Sequence, residues 1–180
     1  AHDGYLYGLL DGEIKIIEES TMSAVNNLLG DFIDVACYGS RAYLFYYDGF
    51  DVYDITTASA PVLLGSYTHD GVGLLTGVAD GTYVYAVDPD EGIYIVDISN
   101  GASPSVVGEI ESYFVDTIVL QDQKIYSVSR NLGLKIFDVS DPETPTEMGG
   151  YRSVLNAPYG GIITRGDAVL MGDLNGILVM

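Results

Sequence analysis

The chain has one cysteine, no tryptophan, two histidines and three lysines among its 180 residues, and each shortage removes a class of protein. With Cys37 alone, no disulfide forms within the chain, and its place in the apolar-alternating stretch Ile33 to Tyr38 reads as a small core residue rather than a nucleophile. Two histidines, one of them His2 at the start, are too few for a three-histidine metal centre and leave a Ser-His-Asp triad poorly supported. Long hydrophobic runs are also missing. The longest stretch free of Asp, Glu, Lys and Arg runs from Ile55 to His69, and Thr, Ser and Pro61 interrupt it, so no transmembrane helix fits there. Seven basic residues against 26 acidic ones give a net charge of −19, which repels polyanions and speaks against nucleic acid or an anionic membrane as partner. Cations and cationic partners are the natural counterparts, and a lysine-poor acidic surface suits a secreted or salt-adapted protein. The chain opens Ala1-His2-Asp3 without Met or a charged-then-apolar leader, as a processed start or an internal fragment would.

Helical periodicity is absent as well, and in its place stands an internal repeat of about 42 residues. Gly49, Gly92 and Gly133 are each followed after five residues by an aspartate, Asp54, Asp97 and Asp138. Seven residues beyond each aspartate comes a proline (Pro61, Pro104, Pro145), and eleven beyond comes a glycine (Gly65, Gly108, Gly149). The glycine series continues at Gly176, and a weaker copy without the proline opens the chain around Gly12. Within each unit Val, Ile and Tyr alternate with polar residues at a period of two, bounded by Gly, Asp, Asn and Pro, which is the pattern of short strands. The best copy reads as four strands: Phe114 to Leu120, Lys124 to Ser129, Gly133 to Val139 and Thr146 to Tyr151. Asp11-Gly12, Asp48-Gly49, Asp80-Gly81 and Gln121-Asp122-Gln123 supply the hairpin turns, and a Pro-containing loop follows each repeated aspartate.

Four short antiparallel strands per unit predict an all-β chain, a β-propeller of four-stranded blades. As one domain over 1–180 it divides into a partial blade 1–31, blades 32–67, 74–111 and 114–151, and a partial blade 159–180. The first unit lacks its inner strand and the last stops before its outer one, about four and a half blades in all. That count predicts an incomplete or open ring, part of a longer propeller chain, with unpaired strand edges.

At Tyr83-Val84-Tyr85 with Gly92-Ile93-Tyr94-Ile95-Val96-Asp97-Ile98-Ser99, and again at Ile125-Tyr126 with Gly133-Leu134-Lys135-Ile136-Phe137-Asp138-Val139-Ser140, the sequence resembles the LVIVD-repeat family. The resemblance is strong from about Arg41 to Tyr151 and loose at both ends. It implies a bacterial or archaeal cell-surface or secreted propeller without known catalytic activity.

Residues that recur once per blade are spread around a ring and cannot converge on one substrate. Asp54, Asp97 and Asp138 are therefore expected to accept backbone N–H groups in the turns that follow them. Function belongs instead to residues that break the repeat on the face carrying the second-to-third-strand turns and the inter-blade linkers. Those are Asp88, Asp90 and Glu91; Arg130 and Asn131; His69 and Asp70; Tyr113; Arg152, Asn156 and Tyr159; and Asp173 with Asn175. Asp88-Pro89-Asp90-Glu91-Gly92 has the flavour of a calcium loop, with Asp88 and Asp90 as ligands, but lacks a third spaced ligand and a distal Glu; its plainer reading is a solvated acidic turn. No other cofactor is suggested. His69 beside Asp70 reads as an acid/base pair or, more plainly, as part of an exposed inter-blade loop. Tyr113 and Tyr159 are the candidates for carbohydrate or peptide contact. The expectation is a non-catalytic interaction module binding a protein or glycan. Its alternatives are a hydrolase or lyase with a carboxylate and tyrosine site, and a structural segment of a larger adhesin-like chain.

Overall fold

A computed structural model describes residues 4–70, 73–129, 132–152, 161–165, 168–173 and 176–179. The described residues form five antiparallel sheets in chain order and no helix. The first sheet holds β1 (Tyr5–Leu10), β2 (Glu13–Glu18) and β3 (Ser23–Leu28). The second holds β4 (Asp34–Tyr38), β5 (Arg41–Tyr46), β6 (Gly49–Asp54) and β7 (Val62–Thr68). The third holds β8 (Thr76–Ala79), β9 (Tyr83–Asp88), β10 (Gly92–Asp97) and β11 (Ser105–Glu111). The fourth holds β12 (Val115–Gln121), β13 (Lys124–Ser129), β14 (Gly133–Asp138) and β15 (Thr146–Tyr151), and the fifth β16 (Ile162–Arg165), β17 (Ala168–Asp173) and β18 (Gly176–Val179). Each sheet pairs its strands in sequence order, so the connections are hairpins and no crossover is needed. The first-sheet hairpin turns on Asp11-Gly12 and the fourth-sheet one on Asp122-Gln123, each with both residues at positive φ, the geometry that matches strand twist. At Asp48-Gly49 the turn lies one residue earlier than the sequence suggests. Tyr47 and Asp48 form it, because Gly49 pairs with Tyr46 and opens β6.

The period-two pattern buries both faces of the central strands. On β5, Tyr43 and Phe45 face the third sheet, joining Leu74, Val84, Ala86, Val96 and Ile98, while Ala42 and Leu44 join Ile14 and Phe32 on the other side. On β9 and β10, Tyr85, Val87, Ile93 and Ile95 meet Val115, Ile118, Ile125 and Phe137 of the fourth sheet. Val128, Leu134, Ile162 and Val169 close the fourth seam. The core is thus a series of layers between sheets, where each fully buried Val, Ile, Leu or Phe contributes about 1.5–3 kcal/mol of transfer free energy. The first strands of successive sheets lie side by side, β4 by β8, β8 by β12 and β12 by β16, as blades do around an axis. Among the described residues the ring does not close.

One irregularity recurs in register. In the three four-stranded sheets a β-bulge interrupts the third-to-outer pairing at Val52/Tyr53, Ile95/Val96 and Ile136/Phe137, three residues after the repeat glycine. It sets the outer-strand glycine against the neighbouring sheet. A Cβ on Gly65 would meet the backbone of Ala102 at 2.8 Å, and one on Gly108 would strike the Pro142 carbonyl. The proline-containing loop of each next blade packs there, so a side chain has no room. At Gly149 no such loop is in place among the described residues, and the glycine lines a cavity of about 580 Å³ with Met148, Tyr151 and Val169.

Cys37 lies outside the core. It is exposed near the end of β4, beside a cavity of about 370 Å³ lined also by Tyr38, Val78 and Asp80 from the strands around the axis. Desolvation of its sulfur by those strands still pushes the thiol up to about 11, which leaves it a poor nucleophile.

Candidate functional site at the His69–Asp88 corner

In an antiparallel sheet the end of the outer strand lies beside the start of the third, and Gly49 accordingly pairs with Thr68, as Gly92 does with Glu111. The second-to-third turn of a blade and the linker leaving it therefore share one face. After β7 the linker folds back: His69 N–H donates to the Asp48 carbonyl (2.6 Å), and Leu74 N–H to the Tyr47 carbonyl (3.0 Å). This return carries His69 over the hairpin of the next blade, where it is only 7 % exposed. The exposed-loop reading of His69 is thereby corrected: the linker is bonded to the Tyr47–Asp48 turn and the imidazole is buried.

The imidazole does not turn to Asp70, which is exposed. His69 Nε2 lies 3.1 Å from Asp88 Oδ2, and Nδ1 lies 3.4 Å from the Tyr67 hydroxyl. The edge of the ring meets Tyr94 with centroids 4.5 Å apart. Asp88 ends β9, pairs with Gly92 and is 0 % exposed. Its Oδ1 accepts the N–H groups of Asp90 (2.8 Å) and Glu91 (3.2 Å), which shapes the turn. Its Oδ2 also accepts Gly73 N–H at 3.4 Å. Burial works to raise the Asp88 carboxyl, but the hydrogen bonds from Asp90, His69, Gly73 and Glu91 outweigh it and hold it below the usual range. A buried carboxylate is tolerated here because four donors replace its water.

Glu91 is exposed and accepts the Tyr94 hydroxyl. Burial first, then that carboxylate, pushes the Tyr94 phenol upward. Asp90 points to solvent, outside the donor group formed by His69, Asp88 and Glu91. The Asp88–Asp90 pairing of a calcium loop is therefore not what the turn assembles: Asp88 faces inward and caps the loop. The exposed aromatic residues Tyr47 (57 %), Tyr113 (54 %) and Phe114 (55 %) flank this hairpin. Gly73 lies under the Tyr47 ring and bonds Asp88, while Phe114 N–H donates to the Pro89 carbonyl (2.6 Å) on the other side.

Arg152 is exposed just past β15, and Asp173 pairs with Gly176 in the register that Asp88 holds with Gly92. Arg130, Asn131, Asn156, Tyr159 and Asn175 lie outside the described residues. The repeated aspartates are occupied locally. Asp54, Asp97 and Asp138 each accept the N–H two residues on, from Thr56 (2.8 Å), Ser99 (2.7 Å) and Ser140 (2.8 Å). Hydrogen bonds from those same turn residues lower all three carboxyls.

Sequence reasoning did not anticipate Tyr67, Gly73, Tyr94, Tyr47 or Phe114 at this corner. Tyr67 and Tyr94 fall within repeat strands and read as packing. The available signal was positional: His69 follows the residue paired with the repeat glycine, where the next unit has Ser112, and Asp88 pairs with the glycine where the next unit has Ser129.

A family model described as the LVIVD repeat matches residues 29–69, 78–112 and 125–153. A comparison with curated protein sequences returns no match. Among solved structures, the computationally designed Ika8 protein is similar with a TM-score of 0.71 at 17 % identity, over 99 % of this chain and 56 % of that one. This chain thus spans little more than half of Ika8. The designed Ika4 protein is similar with a TM-score of 0.61 at 15 % identity, over 83 % of this chain and 89 % of that one. At such identity the likeness concerns the fold.

Proposed function

Because the chain belongs to the LVIVD-repeat family, we propose that it is a non-catalytic, extracytoplasmic interaction module that holds a protein or glycan partner on the face of the His69–Asp88 corner. The observation that carries this reading is the set of exposed aromatic rings, Tyr47, Tyr113 and Phe114, on either side of the acidic Asp88–Gly92 hairpin. Exposed rings offer apolar faces to sugar C–H groups or apolar side chains, and the carboxylates of Asp90 and Glu91 between them accept hydroxyl or cationic donors. The net charge of −19 favours partners rich in cationic or hydroxyl groups.

A hydrolase would need the carboxylates of this corner to reach a substrate. Asp88 and His69 are buried and engaged with protein groups, and Glu91 is the member of the cluster that meets solvent.

The reading is tested by screening the chain against a glycan array and a surface-displayed peptide library, then repeating any positive with Tyr113→Ala, Glu91→Gln and Arg152→Ala. Removing a ring at the centre of a contact is expected to weaken binding by about 1–2 kcal/mol, roughly tenfold. Affinities that stay the same in all three variants would take this face out of consideration.

A further inference from the structure

Among the described residues, His69, Asp88 and Glu91 each offer a donor atom, and the three atoms lie within 4.8 Å of one another. They come from two blades: His69 from the linker after β7, Asp88 and Glu91 from the β9–β10 hairpin. His69 Nε2 and Asp88 Oδ2 are 3.1 Å apart. That is close to the edge, about 3.3 Å, of a tetrahedron whose centre bonds nitrogen and oxygen at about 2.0 Å. The exposed Glu91 side chain supplies the third side of the pocket.

Each donor is also held from behind. His69 Nδ1 faces the Tyr67 hydroxyl, Asp88 Oδ1 takes the Asp90 and Glu91 N–H groups, and Glu91 Oε2 takes the Tyr94 hydroxyl. This is the outer layer of contacts that orients ligands around a metal ion and fixes the imidazole tautomer. Two carboxylates converge here, while the described lysine ion pairs, Lys15–Glu13 and Lys135–Glu147, lie elsewhere.

We infer that His69, Asp88 and Glu91 form a binding site for one divalent transition-metal ion of the zinc type, which clips the second blade to the third. The imidazole selects this class, because calcium and magnesium take all-oxygen shells. On binding, the His69–Asp88 hydrogen bond is exchanged for two bonds to the ion: Nε2 presents its lone pair, and the ring proton resides on Nδ1, donated to the Tyr67 oxygen. Glu91 is the third ligand at the solvent side, and water takes the fourth position. This inference rests on the corner itself and not on any partner, so it stands or falls separately from the interaction reading.

The test uses the full 180-residue chain, stripped with a chelator and titrated with zinc chloride by calorimetry, with thermal melts in parallel. One ion per chain is expected, with a melting temperature that rises with zinc and a signal that excess calcium leaves in place. Glu91→Gln, an exposed substitution that leaves the fold intact, is expected to weaken zinc at least about tenfold, since loss of even an outer-layer contact costs roughly 10–100-fold. His69→Gln is expected to abolish the one-to-one event. Zinc binding of equal affinity in the parent and in Glu91→Gln would place the ion on other acidic groups and overturn the site. Absence of a one-to-one event in the parent would overturn it too, and ready competition by calcium would overturn the assignment of metal class.

Discussion

Two corners of the molecule occupy equivalent positions and are built from different chemistry. Where the second blade meets the third, the residue after the outer strand is His69 and the residue opposite the repeat glycine is Asp88. Where the third meets the fourth, the same two positions are Ser112 and Ser129. All four side chains are buried. Ser129 Oγ accepts the Leu132 N–H at 3.3 Å, a smaller version of what Asp88 Oδ1 does for Asp90 and Glu91. At this second corner a hydroxyl suffices to hold the Leu132 amide. A carboxylate bonded to an imidazole exceeds that requirement, and the excess is what gives the first corner a charge and ligand atoms.

The comparison can be broken by substitution. Asp88→Ala leaves its buried donors without an acceptor, at about 1–3 kcal/mol for each unsatisfied group, and is expected to cost about 3–5 kcal/mol in urea unfolding. If it costs no more than Ser129→Ala, the two corners are energetically alike. The sign of its pH dependence follows from the direction of the shift. The folded carboxyl lies below its ordinary value of 3.8, so its stabilisation is present above that value and is lost as pH falls through the folded pKa. The gap in stability between the parent and Asp88→Asn is thus expected to be full at neutral pH and to narrow in acid, as followed by denaturant melts across pH.

A double-mutant cycle through His69→Ser and Asp88→Ser transplants the other corner's chemistry. It is expected to give a coupling of about 1–3 kcal/mol, and a value near zero would show that the two side chains are merely neighbours. Ser129→Ala, which removes one acceptor from a turn, is expected to cost about 1 kcal/mol. The smallest effect belongs to Asp97→Asn, which keeps the acceptor for Ser99 and is expected to leave the thermal midpoint almost unchanged; a large drop there would mean that the charge, rather than the oxygen, matters in the repeat turns.

The fold was legible because its determinants are local and repeated. Gly92, Asp97, Pro104 and Gly108 return at matching offsets, and the strands read at Lys124 to Ser129 and Thr146 to Tyr151 are β13 and β15. The bulge beside Gly108 was not legible, although the glycine that accompanies it was, because the close approach of the Pro142 carbonyl belongs to the next blade and leaves no mark on the local sequence. The corner was half legible. Asp88, Glu91 and His69 stood out as departures from the repeat, but adjacency in sequence suggested Asp70 as the partner of His69. The actual partner, Asp88, is brought in by the return of the linker over the next hairpin. Tyr67 and Tyr94 were hidden by their own regularity, since a repeat position conceals any second role. Cys37 was misplaced for a related reason: alternation tells which face a residue takes, not how fully a neighbouring sheet covers that face.

The apolar layers lie between the sheets, so each blade borrows its interior from its neighbours, and no blade owns one. Taken as the 180-residue chain alone, such a ribbon loses structure a seam at a time, and the sheets clasped on both sides hold longest. Hydrogen exchange should accordingly grade along the chain, slowest on β9 and β10 and quickening toward either extremity.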